Sequence, residues 1–222
     1  MRLTRNQMKY AAYFLMLLDH IGAVFFPGAI WLRALGRLSF PFFAYLLAEG
    51  VCGTSDWKKY LYRLAGLALL SEPFYDLLFY KKLELSNQNI YFTLLLGAAA
   101  CFFILRYREK LGLASYLLSA PFFILAWIMR VDYDVYGIFL IVCFLLMKEG
   151  FWKPLRVNRY LLVLICGCFV TMARGGLPIQ NLSIAAGFAM PVREKEEQPL
   201  SKLWYFFYPT HLFALLVLYL LF

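Results

Sequence analysis

One apolar stretch near the amino terminus constrains the fold more than any other feature of the sequence. Residues Lys9 to Phe26 form a segment long enough to cross a bilayer as a helix, yet Asp19 and His20 lie well inside it. A transmembrane helix needs about 20 mostly apolar residues, and ionisable groups within one are costly and usually functional. The stretch therefore predicts a membrane helix that carries a candidate catalytic histidine.

The spacing within this stretch links His20 to a second polar residue. Ten residues separate Lys9 from His20, so at about 100° per residue the two side chains share nearly one helix face, about 16 Å apart along it. This predicts a cation at the membrane edge and an imidazole near mid-membrane, both facing one lumen. A structural interpretation stays open, in which His20 is hydrogen-bonded for packing and Asp19 is paired with an arginine.

The composition excludes a soluble globular domain. Hydrophobic residues make up 63% of the 222 residues, whereas soluble domains are nearer half apolar. The net charge of +9 is expected in loops between helices, where it sets membrane topology and meets anionic lipid, rather than on a surface for nucleic acid. The five cysteines lack the spacing of a zinc site or a disulfide framework, and we predict no metal.

Apolar segments recur along the whole chain and predict an all-α, polytopic helical membrane bundle. About nine transmembrane helices are expected, with a range of eight to ten, in a single domain over residues 1–222. The amino-terminal residues indicate the start of a first helix that is not cleaved off. Two of the later segments are shorter than a usual transmembrane span. Beyond the first, the segments are 30–52, 61–80, 90–105, 113–129, 135–147 (short), 160–173, 177–190 (short) and 203–222.

The loops indicate the orientation. With nine spans, most of the 22 lysines and arginines fall on one side, in the amino terminus and around 58–63, 106–110, 148–159 and 193–202. The positive-inside rule makes that side cytoplasmic, so the amino terminus is predicted inside and the carboxyl terminus outside.

The polar residues of the opposite half form a second set of candidates. Glu72 and Asp76 are four positions apart and share a helix face, which is unfavourable unless cations neutralise them, as Arg33 or Arg37 could do. A structural ion-pair network is the alternative. The other members of the set are Asn89, Asp132 and Asp134.

The second histidine, His211, lies in the motif FYPTHL at the start of the last segment. It is a candidate for substrate binding, and a packing or interface histidine is the alternative. The sequence contains no nucleotide-binding loop, no HExxH and no GxSxG, so coupling to ATP is not expected.

Six motifs taken together resemble the TraX family, named for a conjugative-plasmid protein that acetylates the amino terminus of pilin. They occur in order along most of the chain and include LLDHIGAVFFP, LGRLSFPFFAYLLAEG, SEPFYDL, NIYFTLLLG, DYDVYGIFLI and FYPTHL. The family is similar to a larger group of membrane acyltransferases whose first helix carries a basic residue, ten further residues and a histidine. Lys9 and His20 fit that spacing.

The resemblance implies a multi-pass acyltransferase of the bacterial cytoplasmic membrane that uses acetyl-CoA as donor. His20 would be the catalytic histidine, and Lys9 would help to organise the donor site. The acceptor would be an amine or hydroxyl, on a peptide amino terminus or an envelope glycan. Direct transfer and an acetyl-histidine intermediate both remain open.

Further roles follow from this implied chemistry. Asp19, Glu72 or Asp76 would orient the imidazole or the acceptor, and Arg37 or Asn89 would stabilise the developing oxyanion. The remaining candidates for substrate binding are Asp132, Asp134 and His211.

Two other classes of function fit the same residues. A small-molecule or lipid transporter would use the buried polar residues as a substrate or proton path, although no inverted repeat is visible. A noncatalytic membrane subunit of a pilus assembly would use them to hold helices together. The acceptor, the acyl chain length and the oligomeric state, including a homo-oligomer, stay open.

Overall fold

A computed structural model describes residues 3–150, 158–173, 175, 178–190 and 200–222. Within these ranges the chain is all helical, with one isolated bridge between Gln88 and Val131. The α-helices are α1 (Arg5–Val24), α2 (Ile30–Gly36), α3 (Ser39–Gly53), α4 (Trp57–Phe79), α5 (Ile90–Leu111), α6 (Ala120–Met129), α7 (Asp134–Lys148), α8 (Arg159–Ala173) and α9 (Phe207–Leu221). Three 3₁₀ segments cover Gly112–Ser119, Pro178–Phe188 and Lys202–Phe206.

Side-chain caps fix where the first helix begins. Thr4 Oγ1 accepts a hydrogen bond from the backbone N–H of Gln7 at 3.3 Å, and Gln7 Oε1 accepts from the N–H of Thr4 at 3.0 Å. This reciprocal pair satisfies two N–H groups that a helix start leaves without partners. The helix ends at Val24, shortly before Pro27, which cannot continue it. His20 is thereby placed in the last turn and a half of α1.

The segment predicted as one helix over 30–52 is two helices, and that part of the prediction is wrong. The break falls at Arg37 and Leu38, between α2 and α3. Gly36 ends α2, and Pro41 is the third residue of α3, where a missing N–H costs nothing. The break brings Arg37 to a helix end beside α1.

Two other segments differ from the prediction in their type of helix. Segment 113–129 starts in a 3₁₀ segment and becomes α6 only at Ala120, with Pro121 in its first turn. Segment 177–190 is a 3₁₀ segment rather than an α-helix where the structure describes it. The basic loops around 148–159 and 193–202 lie mostly outside the described residues.

Helix α7 lies at the centre of the bundle, because ten of its 15 residues are buried. Small residues allow its neighbours to approach. A Cβ added to Gly97 of α5 would overlap Ile141 of α7, and one added to Gly137 of α7 would overlap Thr93 of α5. Close packing of helices through small residues is typical of membrane bundles.

Ion pairs and ring contacts join the helix ends. At one end Glu49 of α3 binds Arg5 of α1 at 2.9 Å and Lys148 of α7 at 3.1 Å. At the opposite end, Lys81 Nζ after α4 lies 3.3 Å from the ring centroid of Tyr219 in α9. The bundle thus has one end that holds the start of α1 and another that holds the ends of α4 and α9.

Two helical stretches among the described residues are long and apolar enough to cross a membrane, namely Ile90–Met129 and Leu203–Leu221. A third apolar helix, Tyr160–Ala173, is shorter. Large apolar side chains are exposed over the bundle, among them Tyr62 at 76% and Trp127 at 57%, as expected of a surface that faces lipid. These features fit a helical membrane protein, while the count of nine spans is not confirmed.

Candidate functional site

Two histidines from opposite ends of the chain meet inside the bundle. His20 Nδ1 in α1 lies 2.7 Å from His211 Nε2 in α9. The ring centroids are 4.9 Å apart, and both residues are buried. They are the only histidines in the sequence, so the fold pairs two residues that sequence position separates by 191.

The hydrogen bonds of this pair fix which ring nitrogens carry protons when both rings are neutral. His211 Nδ1 lies 2.9 Å from the backbone oxygen of Phe207, and a carbonyl oxygen can only accept. Nδ1 of His211 therefore carries the proton, its Nε2 accepts, and His20 Nδ1 donates. This leaves the lone pair on Nε2 of His20, which makes no hydrogen bond within the described part of the chain.

A carboxylate beside His20 is held by two arginines. Asp19 Oδ2 lies 2.9 Å from Arg33 Nη1 and 3.0 Å from Arg37 Nη2. Gly36 makes this contact possible, since a Cβ there would overlap the Asp19 side chain. The pairing of Asp19 agrees with the structural interpretation of that residue. The suggestion that Arg33 or Arg37 neutralises Glu72 and Asp76 is wrong, because both arginines bind Asp19.

Three adjoining cavities lie in the described part of the bundle, and His20 lines the middle one, whereas His211 lines none of them. The histidine cavity, of about 260 Å³, is lined by His20, Asp19 and Arg37 together with aromatic residues. It shares Arg37 and Asp132 with an outer cavity of about 390 Å³. On the other side it shares four residues with a lysine cavity of about 210 Å³, which Lys9 lines. These four are Met16, Phe43, Ile90 and Tyr208.

Lys9 and His20 line two different cavities that adjoin each other. Lys9 lines the lysine cavity, near the end of the bundle where α1 begins, and His20 lines the histidine cavity deeper in the bundle. The row of cavities then continues to the outer cavity, where Asp134 is part of the wall.

Asp132 lies where the histidine and outer cavities meet, in the loop between α6 and α7. Burial raises the pKa of its carboxyl to about 6, and the nearby Arg37 guanidinium opposes that rise. The loop is held in place by a hydrogen bond from Thr93 to the Asp132 carbonyl. Tyr133 and Asp134, which follow, have positive φ angles of 64° and 44°, an uncommon conformation that favours glycine.

The other predicted carboxylates lie outside these three cavities. Glu72 Oε2 accepts hydrogen bonds from the backbone N–H and the side-chain amide of Asn89. The Asn89 amide also donates to the Ala68 carbonyl at 2.8 Å. Asp76 Oδ2 accepts from the N–H of Glu84 at 2.9 Å. Glu72 and Asn89 therefore join α4 to the start of α5, and Asp76 binds the loop between them. None of the three lines the histidine cavity.

The structure adds residues that the sequence did not single out. Tyr208 lines both the histidine and lysine cavities. The guanidinium carbon of Arg37 lies 5.8 Å from the ring centroid of Tyr133. Tyr208 is three positions before His211 and so shares its helix face, a signal that was present in the FYPTHL motif. Among the described residues, no group of three or more His, Cys, Asp or Glu could hold a metal ion.

The chain is similar to known proteins along most of its length. A family model described as TraX protein matches residues 4–219. A relative from Dichelobacter nodosus, described as probable fimbrial assembly protein FimC, serogroup H1, is 33% identical over 110 residues. That alignment covers 42% of this chain and 43% of the relative, less than half the length of either protein. No solved structure matches the chain.

Proposed function

Because this chain belongs to the TraX family, we propose that it is a membrane-embedded acyltransferase that moves an acetyl group from acetyl-CoA to an amine or hydroxyl acceptor. His20 is the general base of this reaction. The proposal rests chiefly on one observation, the hydrogen-bonded pair of His20 and His211 beside an internal cavity.

The pair gives His20 the properties that a general base needs. Its Nδ1–H is held by His211, so its Nε2 presents a lone pair, and the imidazole ring lines a space large enough for the reacting groups. A base oriented by a second hydrogen-bonded group is the arrangement common to enzymes that activate a nucleophile. A histidine that served packing alone would not need an open cavity next to it.

The direct form of the reaction needs one proton acceptor. Nε2 of His20 takes the proton from the acceptor amine or hydroxyl as its nitrogen or oxygen bonds to the thioester carbon. The carbon–sulfur bond then breaks, and His20 returns the proton to the departing thiolate. The alternative, in which His20 itself is acetylated first, uses the same atom of the imidazole as nucleophile.

The lysine cavity suits the donor. Acetyl-CoA is a polyanion, and the chain places Lys58 and Arg63 at the end of the bundle that holds Lys9, where their positive charges would attract its phosphate groups. Arg108 lies at the same end but binds Glu149 at 2.9 Å. The cavity wall beyond Lys9 is largely apolar and aromatic. It would accept the pantetheine arm, with the acetyl group directed at the histidine cavity.

The outer cavity suits the acceptor. It opens on the side of the bundle away from Lys9 and carries the carboxylates Asp132 and Asp134 beside Arg130. These groups can bind the polar atoms of a peptide terminus or a glycan. The two substrates would then reach His20 from opposite directions.

In this proposal the chain crosses the bacterial cytoplasmic membrane nine times, with its amino terminus inside. The apolar segments and the positive-inside rule supply the argument. Two further observations support it, since the start of α1 and the ends of α3 and α7 share one end of the bundle through Glu49, whereas α4 and α9 end together at the other. The basic end would face the cytoplasm, where CoA is available.

A noncatalytic subunit of a pilus assembly is the second candidate. It is favoured by the relative described as a probable fimbrial assembly protein and by the binding of Asp19 to two arginines, which is what a purely structural cluster would show. Such a subunit would bind no acetyl-CoA.

The test uses the full chain, purified in detergent and incubated with acetyl-CoA labelled in the acetyl group. The acceptors are a panel of peptides with free amino termini and of sugars. We expect release of free thiol and transfer of label to one class of acceptor. Absence of both binding and thiol release by folded protein would contradict the proposal and favour the noncatalytic subunit. Substrate movement across liposomes without thiol release would indicate a transporter.

A further inference from the structure

The Tyr208 hydroxyl is a buried polar group without a partner. The residue is 2% exposed, and its Oη makes no hydrogen bond to any residue that the structure describes. Buried hydroxyl groups are nearly always hydrogen-bonded, because leaving one unpaired is costly. An exception next to a cavity indicates a group that a ligand satisfies.

The position of Tyr208 in the fold is specific. Tyr208 is one of only a few residues that line both the histidine cavity and the lysine cavity, so it stands at their junction. Its ring centroid lies 5.4 Å from that of His211 and 6.0 Å from that of His20. A donor thioester that entered past Lys9 would bring its carbonyl group to this junction before it reached His20.

The ring of Tyr208 is fixed by its surroundings. It packs edge to face against Tyr91 with the centroids 5.2 Å apart. The hydroxyl lies near the backbone N–H of Ile90 at the first turn of α5, outside hydrogen-bond geometry. A helix amino terminus favours negative charge nearby. The setting therefore suits a donor aimed at a developing anion.

From these observations we propose that Tyr208 is a catalytic residue whose hydroxyl donates a hydrogen bond to the carbonyl oxygen of the donor thioester. This inference rests on the proposed acyl transfer. When the nucleophile bonds to the carbonyl carbon, the π electrons of the carbonyl move to its oxygen, and Tyr208 stabilises that charge. When the carbon–sulfur bond breaks, the electrons return and the thiolate receives the proton held by His20. Tyr208 keeps its own proton throughout.

The two residues expected from the sequence to fill this role are less well placed. The Asn89 amide donates to the Ala68 carbonyl and to Glu72, which uses both of its hydrogens. Arg37 binds Asp19 through Nη2 and lines the histidine and outer cavities. Its Nε makes no hydrogen bond within the described residues, but Arg37 does not line the lysine cavity. Tyr208 alone of the three lines the space through which the donor would enter.

The test compares Tyr208→Phe with Tyr219→Phe, a control on the same helix that lines none of the three cavities. Thiol release from acetyl-CoA is measured with water and with glycinamide as acceptors. Loss of one oxyanion donor lowers kcat by about 100-fold or more, so we expect that fall in Tyr208→Phe and wild-type rates in Tyr219→Phe. Acetyl-CoA binding should be unchanged in both.

Stability provides the second measurement. Because the hydroxyl has no partner among the residues that the structure describes, its removal should leave the melting temperature unchanged or raise it. An active wild type with a Tyr208→Phe rate within threefold of it would overturn the role of Tyr208 and leave the proposed function standing. A clear loss of stability in Tyr208→Phe would also overturn it, since the hydroxyl would then have a structural partner. A wild type that releases no thiol would overturn both proposals.

Discussion

Replacing His211 by phenylalanine tests how the histidine pair works. The substitution keeps an aromatic ring of similar size in α9 but removes the atom that accepts the hydrogen bond from His20 Nδ1, 2.7 Å away in the native protein. The Nδ1–H of His20 then lies in a buried site without a partner. The His20 ring can avoid the unpaired Nδ1–H only by moving that proton to Nε2. The resulting tautomer has no lone pair on Nε2.

The size of the effect follows from the cost of that unpaired donor. A buried N–H that loses its partner costs about 1–3 kcal/mol, and each 1.36 kcal/mol corresponds to about a tenfold change in rate. We therefore expect turnover to fall by about 10- to 100-fold in His211→Phe through loss of the active tautomer. His211→Gln offers a matched control, because its side-chain oxygen can still accept from His20, and it should retain more activity.

Nuclear magnetic resonance of ¹⁵N-labelled histidine gives a direct readout, since the sequence contains only two histidines. In the native protein we expect protons on both Nδ1 atoms and an unprotonated Nε2 on each ring. In His211→Phe the remaining histidine should shift toward the form protonated at Nε2. Native turnover in His211→Phe, or an unprotonated Nδ1 on His20 in the wild type, would refute this account of the pair.

Three further predictions concern stability, each measured by thermal unfolding in detergent. Gly36→Ala should destabilise the protein by about 1–3 kcal/mol, because the new methyl group would overlap Asp19. The control Gly66→Ala, at an open helix position, should stabilise it by up to about 1 kcal/mol. Equal effects of the two substitutions would contradict the close packing of Gly36 against Asp19. Burial raises the pKa of Asp132 to about 6 from 3.8. Ionisation of this carboxyl therefore destabilises the folded protein very little near pH 4 and to its full extent above pH 6. Asp132→Asn should therefore gain stability relative to the wild type as the pH rises from about 4 to about 7, and a constant difference would count against it. Glu49→Gln should lower stability by up to about 1 kcal/mol, since its carboxylate binds two partly exposed cations from other helices; an unchanged melting temperature would show that these ion pairs contribute little.

Much of the helical pattern could be predicted from the sequence because it depends on local apolar runs. The predicted segments coincide with helical stretches of the structure throughout its described ranges, and the resemblance to the TraX family is confirmed by a match over residues 4–219. The break at Arg37 was missed because its cause is tertiary. Gly36 allows α2 to approach Asp19 on α1. The spacing of apolar residues within 30–52 contains no information about that contact with another helix.

The candidate site could be predicted only in part, for a similar reason. The apolar context of His20 marked it as unusual, but nothing in the spacing of residues along one helix reveals a partner 191 positions away. The carboxylates Glu72 and Asp76 were grouped with the arginines because they share a membrane depth. In the fold they pair with backbone and amide groups next to α5 instead, which shows that depth alone does not determine partners.

The most direct test of the account compares thiol release from acetyl-CoA by the wild type and by His20→Ala, with binding of acetyl-CoA and thermal unfolding measured on the same preparations. General-base catalysis contributes about 10²- to 10⁴-fold, so we expect the variant to bind the donor and stay folded while its rate falls by about 100-fold or more. A folded variant that releases thiol at the wild-type rate would contradict the central role of His20.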